Sequence, residues 1–479
     1  MPAPRLASKL SHVHLDGRTL EGGGQLVRIA IGLSALTGRP VSIDHVRGNR
    51  QGKKGLKRSH AAAVKLLAEI SGSEVAGSEV GSQRLEFLPH SPRTRSGPLL
   101  DLSQVTVKSE YDINITTAGS IFLVFQALYP YLLHVGSRTP GSFVKVNITG
   151  GTNSSHSPSY DYMSQVIVPN FAKLGLPPLS VILHKRGWSS GPIDLGAVTF
   201  LIHVLGSRQS SDKGEEQNES PEKRRTTEPF YTFPLMNLMD HKRGKITQID
   251  ITVLAPDITT PNANLRDDDV ELTARRFIEE STLRSLRREL RKMDPSIFKH
   301  STSSPPEEDP LTKQSSQNAP VPIKIHTSES TQHRSHVYLL IVAHTSSGFR
   351  IAHDVLGSVG GNRSAKPRNK GKQKQRPAQA NCQNADILSG AADLVNRCVK
   401  GFVEEIANAD PDEKPTSNIK RSCVDQYMRD QVVVFEALGK ACRIDGHEAE
   451  VIDGILEDER AWTLHTKTAQ WVCRQMLDA

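Results

Sequence analysis

Three consecutive glycines, Gly22 to Gly24, run directly into an amphipathic helical pattern, and this junction constrains the fold more than any other feature of the chain. Apolar residues recur after it at helical spacing: Leu26, Ile29, Ala30 and Leu33. Glycines permit backbone conformations closed to other residues, and the unpaired N–H groups of a helix start attract anions. The pattern therefore predicts a helix from about residue 24 to Gly38, preceded either by a phosphate site or by a glycine turn that caps a core helix.

A basic loop follows at Arg47–Arg58, with six basic residues separated by three glycines. Residues 1–60 hold eleven Lys and Arg against three Asp and Glu, and their net charge of +8 equals that of the whole chain. A second basic stretch, Arg363–Arg376, has seven basic residues and no acid. A solvated basic surface is the plain interpretation of the first loop, whereas arginines on both sides of Gly48-Asn49 favour phosphate contact, because guanidinium groups bind phosphate oxygens in pairs.

Four motifs, in this order, resemble the RNA 3′-terminal phosphate cyclase family. They are Glu21–Gln25, then Gly150–Asn153 with Pro158 and Asp161-Tyr162, then Asp425–Gln431, and finally His465–Thr468. The resemblance covers roughly residues 11–205, 230–300, 336–360 and 383–478. One such motif would be weak evidence, but four in order across most of the chain are specific.

Alternating strand and helix patterns indicate an α/β organisation in the broad sense that includes α+β folds. The resemblance implies repeated βαβαββ-type units that form a large domain, interrupted by a smaller inserted α/β domain. The expected boundaries are 11–244 for the first part of the large domain, with a disordered insertion at 207–229; 245–357 for the inserted domain, with a disordered loop at 301–333; 358–384 for a basic disordered linker; and 385–479 for the last part of the large domain. The disordered segments are expected from their polar composition.

His465 is the candidate catalytic residue. Thr466 and Thr468 can cap a helix there, and a helix N-terminus favours neutral imidazole, which is the nucleophilic form. A histidine that simply begins a helix is the structural alternative. The resemblance implies that the histidine attacks the α-phosphorus of ATP and forms covalent histidine-AMP. The AMP then passes to an RNA 3′-terminal phosphate, and the neighbouring 2′-hydroxyl displaces it to close a 2′,3′-cyclic phosphate.

The same resemblance implies roles for further residues, each at a matching position. Gln126, Pro158, Tyr427, Asp430 and Gln431 would contact ATP, Arg28, Arg47 and Arg50 would bind phosphate or RNA, and Glu21 would hold a divalent cation, Mg²⁺ or Mn²⁺. Structural alternatives exist for several of them. Tyr427 and Gln431 could pack on one helix face, Asp430 could be a surface charge, and Pro158 could mark a turn.

Two motifs depart from the family pattern. The segment Arg186–Gly196 lacks the usual triple glycine, and Ser59 stands where a glutamine is usual, in Gly55–His60. A backbone contact near Gly191 and a side-chain contact near Ser59 are therefore expected to be altered, with an effect on activity.

Composition bounds the protein class. No run of about 18 apolar residues is present, and residues 1–11 form no apolar signal segment. The five cysteines follow no metal or disulfide spacing. These observations predict a protein of the cell interior with no membrane partner. The basic tract suggests the nucleus, nucleoplasm or nucleolus, with the cytoplasm as a further location. The alternative function is a non-catalytic cyclase-like RNA-binding factor of ribosome biogenesis and pre-rRNA processing. His465 favours the enzyme, because the cyclase-like branch lacks this histidine.

Overall fold

The computed structural model describes residues 12–90, 98–100, 105, 107–138, 141, 143–206, 232–259, 272–299, 319–359, 379–407, 422–443 and 462–477. These residues form three four-stranded sheets with helices packed against them. The protein thus has the mixed α and β architecture that the sequence predicts. None of the described helices is long and apolar enough to cross a membrane.

The first two sheets are built by units with the same order of elements. The first unit runs β1 (Val13–Asp16), α1 (Gly24–Thr37), β2 (Val41–Asp44), α2 (Arg58–Ser71), β3 (Glu74–Ala76) and β4 (Leu85–Leu88). The second runs β5 (Glu110–Asn114), α3 (Ile121–Val135), β6 (Phe143–Gly150), the helical segment α4 (Tyr160–Tyr162, a π-helical Met163–Ile167 and Val168–Lys173), β7 (Leu179–Lys185) and β8 (Gly196–His203). Both sheets have one parallel pair followed by two antiparallel pairs, in the orders β1-β2-β4-β3 and β5-β6-β8-β7. The expected βαβαββ unit is therefore present twice.

The third sheet has a different order, β10-β9-β11-β12. Its elements are β9 (Ile246–Ala255), α5 (Ala274–Leu290), β10 (Ile323–Ser330), β11 (Val337–Thr345), β12 (Arg350–Gly357) and α6 (Gln379–Ala407). One face of this sheet packs with α5 and α6 in a second apolar core, whereas Leu254, Tyr338 and Leu340 on the other face join the main core. The sheet thus lies between its own helices and the first two units.

Two expected boundaries require correction. The loop predicted to be disordered at 301–333 contains strand β10, which pairs in parallel with β9. β10 is an edge strand with mostly exposed side chains, so its composition resembles that of a loop. Helix α6 includes residues 379–384 of the predicted linker, and it packs on β11, β12 and α5 although it was assigned to the last part of the large domain. The predicted insertion 207–229 lies outside the described residues.

Two further helices complete the main core, α7 (Gln426–Ala441) and α8 (Leu464–Leu477). α8 packs against both α1 and α7. The apolar face of α8 includes Val472, Cys473 and Met476, as the sequence pattern predicts. This packing brings the first and last described helices together, and it places the start of α8 beside the glycine turn.

Candidate functional site

The N-termini of α1 and α8 meet at His465. Gln25 is the second residue of α1, His465 is the second residue of α8, and Nδ1 of the histidine lies 3.0 Å from Oε1 of Gln25. No side chain caps the start of α1, where Gly23 is the N-cap residue. The N-terminal N–H groups and positive dipole ends of two helices therefore converge on one region, where they favour a bound anion.

Glu21 connects His465 to the basic loop. Its Oε2 lies 2.7 Å from His465 Nδ1, and its Oε1 lies 2.6 Å from the guanidinium of Arg50. Burial of this carboxyl group tends to raise its pKa, but the hydrogen bond and charge of His465, with the charges of Arg50 and Arg28, outweigh burial, so the pKa is lowered. The carboxylate is consequently ionised at neutral pH. Its Oε2 is close enough to interact with a proton on Nδ1 of His465.

The glycine turn has two close contacts that explain its composition. Gly22 has a φ of 58°, and a Cβ on it would lie 1.8 Å from the carbonyl oxygen of Gly17. A Cβ on Gly24 would lie 2.0 Å from Nε2 of His60, which is buried. Burial, together with the nearby charges of Arg28, Arg47 and Lys57, lowers the pKa of His60 to about 3, so this histidine is a neutral packing partner of the turn.

Asp430 anchors the start of α8. Its Oδ1 accepts hydrogen bonds from the hydroxyl groups of Thr466 at 2.5 Å and Thr463 at 3.2 Å. The backbone N–H of Thr466 donates to the Thr463 hydroxyl at 3.0 Å, so Thr463 is the N-cap of α8. Thr466 and Thr468, predicted as caps, instead bond to Asp430 and to the carbonyl oxygen of Leu464.

An apolar cleft opens beside this junction. Its walls are mainly aromatic and aliphatic: Phe122, Phe125, Tyr129, Phe171, Val434 and Phe435. Its lining contains five of the residues predicted to contact ATP or phosphate, Arg28, Gln126, Pro158, Asp430 and Gln431, together with Gln25, for which no role was predicted. Apolar walls with a few convergent polar groups are typical of small-molecule sites.

Two features of the cleft bear on the choice of ligand. The side-chain amide of Gln126 donates to that of Gln431 at 2.6 Å, which fixes both amides in the cleft wall. Arg28 has no hydrogen bond or ion pair within the described part of the chain, and burial lowers its pKa to about 10 while the charge of Glu21 partly offsets this. A partly buried cation of this kind favours an anionic ligand.

Tyr427 is the one predicted nucleotide residue that lies outside the set lining this cleft. Its ring packs at 6.0 Å from His353 and edge-on to Tyr162 at 6.4 Å, and its side chain is 42% exposed. Burial, reinforced by nearby carboxylates, raises the pKa of Tyr427 to about 12. Tyr427 lies one helical turn before Gln431 on α7. Its role toward a nucleotide stays a prediction.

The basic loop places Arg47 and Arg50 beside the glycine turn. Arg47 is largely buried, has a φ of 60°, and donates from its guanidinium to the carbonyl oxygen of Lys53 at 3.0 Å. Arg50 pairs with Glu21, as described above. Arg47 and Arg50 thus lie in the basic loop at one side of the site, whereas Arg28 lines the cleft.

The altered segment Arg186–Gly196 has a structural role. Arg186 makes paired hydrogen bonds to Asp161, at 2.8 and 3.1 Å, and to Glu329, at 2.6 and 3.0 Å. Trp188 is buried and stacks on His336 with ring centroids 4.8 Å apart. This segment therefore joins the second unit to the third sheet. Ser59 lies near Gly119, and a Cβ on that glycine would lie 3.3 Å from Cβ of Ser59.

Sequence reasoning did not assign roles to Gln25, His60 or Thr463. Gln25 follows Glu21 by four residues, and its spacing across the glycines could have identified a second polar group at the turn. Thr463 directly precedes the final amphipathic pattern, which is the usual N-cap position. His60 carried no signal of its own beyond its place in the Gly55–His60 motif.

Among the described residues, no group of three or more His, Cys, Asp and Glu side chains is arranged to hold a metal ion. Glu21 is the carboxylate nearest to His465, and Arg50 and His465 each contact one of its oxygens. Each oxygen retains a second lone pair, so a divalent cation at Glu21 fits the site when phosphate oxygens and water supply its remaining ligands.

Comparison with known proteins places the chain in a family. The family model described as RNA 3′-terminal phosphate cyclase matches residues 19–479. The RNA 3′-terminal phosphate cyclase of Methylococcus capsulatus is 35% identical over 200 residues, which cover 41% of this chain and 50% of that protein. That of Koribacter versatilis is 33% identical over 207 residues, 43% of this chain and 52% of the relative. The alignments thus span about half the length of the curated relatives. With a family match over nearly its whole length, the chain belongs to the RNA 3′-terminal phosphate cyclase family.

Proposed function

We propose that this protein converts an RNA 3′-terminal phosphate to a 2′,3′-cyclic phosphodiester, with ATP as co-substrate and His465 as the nucleophile. The observation that carries the proposal is the environment of Nδ1 of His465, where the amide oxygen Oε1 of Gln25 lies at 3.0 Å and the carboxylate oxygen Oε2 of Glu21 lies at 2.7 Å. Two oxygens this close to one ring nitrogen favour a proton on that nitrogen. Nε2 then carries the lone pair, and the half-exposed ring can present it to a ligand.

The chemistry that follows is balanced in three steps. Nε2 attacks the α-phosphorus of ATP, a P–N bond forms, and pyrophosphate leaves. An oxygen of the RNA 3′-phosphate next attacks that phosphorus, and the P–N bond breaks. Finally the 2′-hydroxyl attacks the activated 3′-phosphate, AMP leaves, and the hydroxyl proton passes to solvent. Activation is needed because a phosphomonoester reacts poorly with an alcohol until it has a good leaving group.

The surrounding residues support a nucleotide at this position. The cleft beside His465 combines aromatic walls with the fixed amides of Gln126 and Gln431, which suits a purine nucleoside. Arg28 and the two helix N-termini suit the phosphates. A divalent cation held by Glu21 would reduce the negative charge on the phosphate oxygens.

Self-adenylation tests the proposal. The full-length protein is incubated with ATP labelled at the α-phosphate and a divalent cation, and protein-bound AMP is measured before and after acid treatment. We expect acid-labile label on the wild type, a loss of several orders of magnitude in His465→Ala, and no change in His14→Ala, an exposed histidine of β1. Strong labelling of His465→Ala would overturn the assignment. An unlabelled wild type that still binds RNA would support a non-catalytic RNA-binding protein instead.

A further inference from the structure

A basic groove lies beside the site, between the loop 47–57 and the turn at Val80-Gly81. Arg47, Lys53, Lys54 and Lys57 line it on one side, and Val80, which is 59% exposed, lines it on the other. No Asp or Glu is among the described residues that line it. Arg47, which is predicted to bind phosphate at the site, also lines the groove, so the groove adjoins the site.

The floor of the groove is held by backbone hydrogen bonds. The N–H groups of Gly55 and Leu56 donate to the carbonyl oxygens of Val46 at 2.8 Å and Ser82 at 2.9 Å, and Gly81 N–H donates to Leu56 at 2.8 Å. Gly55 has a φ of 79°, and a Cβ on it would lie 2.2 Å from the carbonyl oxygen of Gly81. The groove therefore has a fixed shape before any ligand binds, and this reduces the ordering cost of binding.

The four cations do not have the same role. Lys54 Nζ is already bound by the carbonyl oxygens of Gly48 and Arg50, so it holds the loop together. Lys53 and Lys57 are exposed, and their ammonium groups have no acidic partner in the part of the chain that the structure describes. Burial and the charges of Arg47 and Arg50 lower the pKa of Lys57, which shows that these like charges are close enough to repel one another. An anionic ligand would relieve that repulsion.

We propose that this groove binds the backbone phosphates of the RNA nucleotides that precede the 3′ end, through Lys53 and Lys57. The inference rests on the proposed function, in which Arg28, Arg47 and Arg50 serve the reacting phosphates. A polynucleotide carries a further charge at each nucleotide, and the groove supplies cations beyond those of the reaction site. The exposed Val80 side chain gives an apolar surface for a ribose or base on the opposite side.

The test compares Lys53→Ala/Lys57→Ala with the wild type and with a control pair, Lys65→Ala/Lys440→Ala, which removes two exposed lysines of α2 and α7. The probes are a ten-nucleotide RNA with a 3′-phosphate and a nucleoside 3′-monophosphate, bound at several salt concentrations. Each phosphate contact to a single strand contributes about 0.7 to the slope of log affinity against log salt, so losing two reduces the slope by about 1.4. The ratio of the wild-type affinity for the decamer to that of Lys53→Ala/Lys57→Ala should therefore fall about sevenfold as salt rises from about 50 to about 200 mM.

The mononucleotide and self-adenylation should be unchanged in the groove variant, and the control pair should behave as the wild type with every probe. A groove variant with wild-type decamer affinity and slope would overturn the inference, and so would an equal loss in the control pair, which would indicate a diffuse basic surface. Lys53→Gln/Lys57→Gln repeats the measurement with side chains of similar length. If the wild type is not adenylated but the decamer result holds, the proposed function fails and the RNA groove stands.

Discussion

Glu21→Gln should be more harmful to self-adenylation than Glu21→Ala, because of the groups that contact the two carboxylate oxygens. Arg50 donates to Oε1, and a guanidinium can only donate. In Glu21→Gln the amide oxygen must therefore take the Oε1 position, and the amide NH₂ then faces His465 Nδ1. A donor at that nitrogen favours the tautomer with the proton on Nε2, which cannot attack phosphorus.

The magnitude follows from the contact of the buried Glu21 carboxylate with the half-exposed His465 ring at 2.7 Å. An interaction with a charged group that strengthens in the transition state contributes about 1.5–3 kcal/mol, and about 1.4 kcal/mol corresponds to a factor of ten in rate, so Glu21→Ala should slow adenylation about 10- to 150-fold. Gln25 still accepts from Nδ1 in that variant. Glu21→Gln loses the same bond and also opposes the reactive tautomer, so its rate should be lower by roughly a further factor of ten or more.

The assay is single-turnover formation of protein-bound AMP at saturating ATP, repeated over a range of Mg²⁺ and Mn²⁺ concentrations. Glu86→Gln, on β4, is the control for loss of a surface carboxylate. If Glu21 acts through a metal ion alone, the Gln and Ala variants should be equally slow, and extra metal should rescue both. That result would refute the tautomer argument and leave the predicted metal role of Glu21.

Two further predictions concern stability. Gly24→Ala should reduce the free energy of unfolding by about 1–3 kcal/mol, because its Cβ would lie 2.0 Å from the buried His60 ring. Adding His60→Ala should remove part of this cost, which denaturant unfolding of both single variants and the double variant will measure. Additive losses would contradict the contact. Burial raises the pKa of Asp354 to about 6, so the folded state binds the extra proton and stability falls as pH rises from about 4 to 6. Asp354→Asn should flatten this fall and gain up to about 3 kcal/mol on the wild type at pH 7; parallel stability curves for the two proteins would contradict it.

Local patterns predicted the elements that form the site. Gly38 ends α1 in the left-handed conformation that favours glycine. The sequence patterns also predict helices at about 59–70 and 120–129 and strands at 143–148, 248–254 and 336–343, which correspond to α2, α3, β6, β9 and β11. These elements bury one face each, so their period is visible in the sequence. The pairing of the first and last helices was not visible in periodicity. The family resemblance implied only that Glu21 and His465 serve one reaction, since no local pattern records which distant helix covers an apolar face.

The errors have a related cause. β10 and residues 379–384 of α6 were predicted to be disordered, and α6 was assigned to another domain, because each depends on a partner distant in sequence: β10 pairs with β9, and α6 packs on β11, β12 and α5. The capping of α8 by Thr463 and Asp430 was also missed, because Asp430 acts across 33 and 36 residues of sequence. Composition describes a segment by itself, whereas these contacts are tertiary.

The third sheet contributes to the position of His465, although it is distant from this residue in the chain. Asp425, the N-cap of α7, accepts hydrogen bonds from Tyr162 of the second unit at 2.6 Å and from the backbone of Ala352 in β12 at 2.9 Å. One helical turn and a residue later, Asp430 binds the two threonines at the start of α8. Because a helix is stiff over this distance, the junction of the second unit and the third sheet fixes the rotation of α7, and thereby the position of His465. The geometry around His465 therefore depends on contacts of Asp425 that lie outside the cleft.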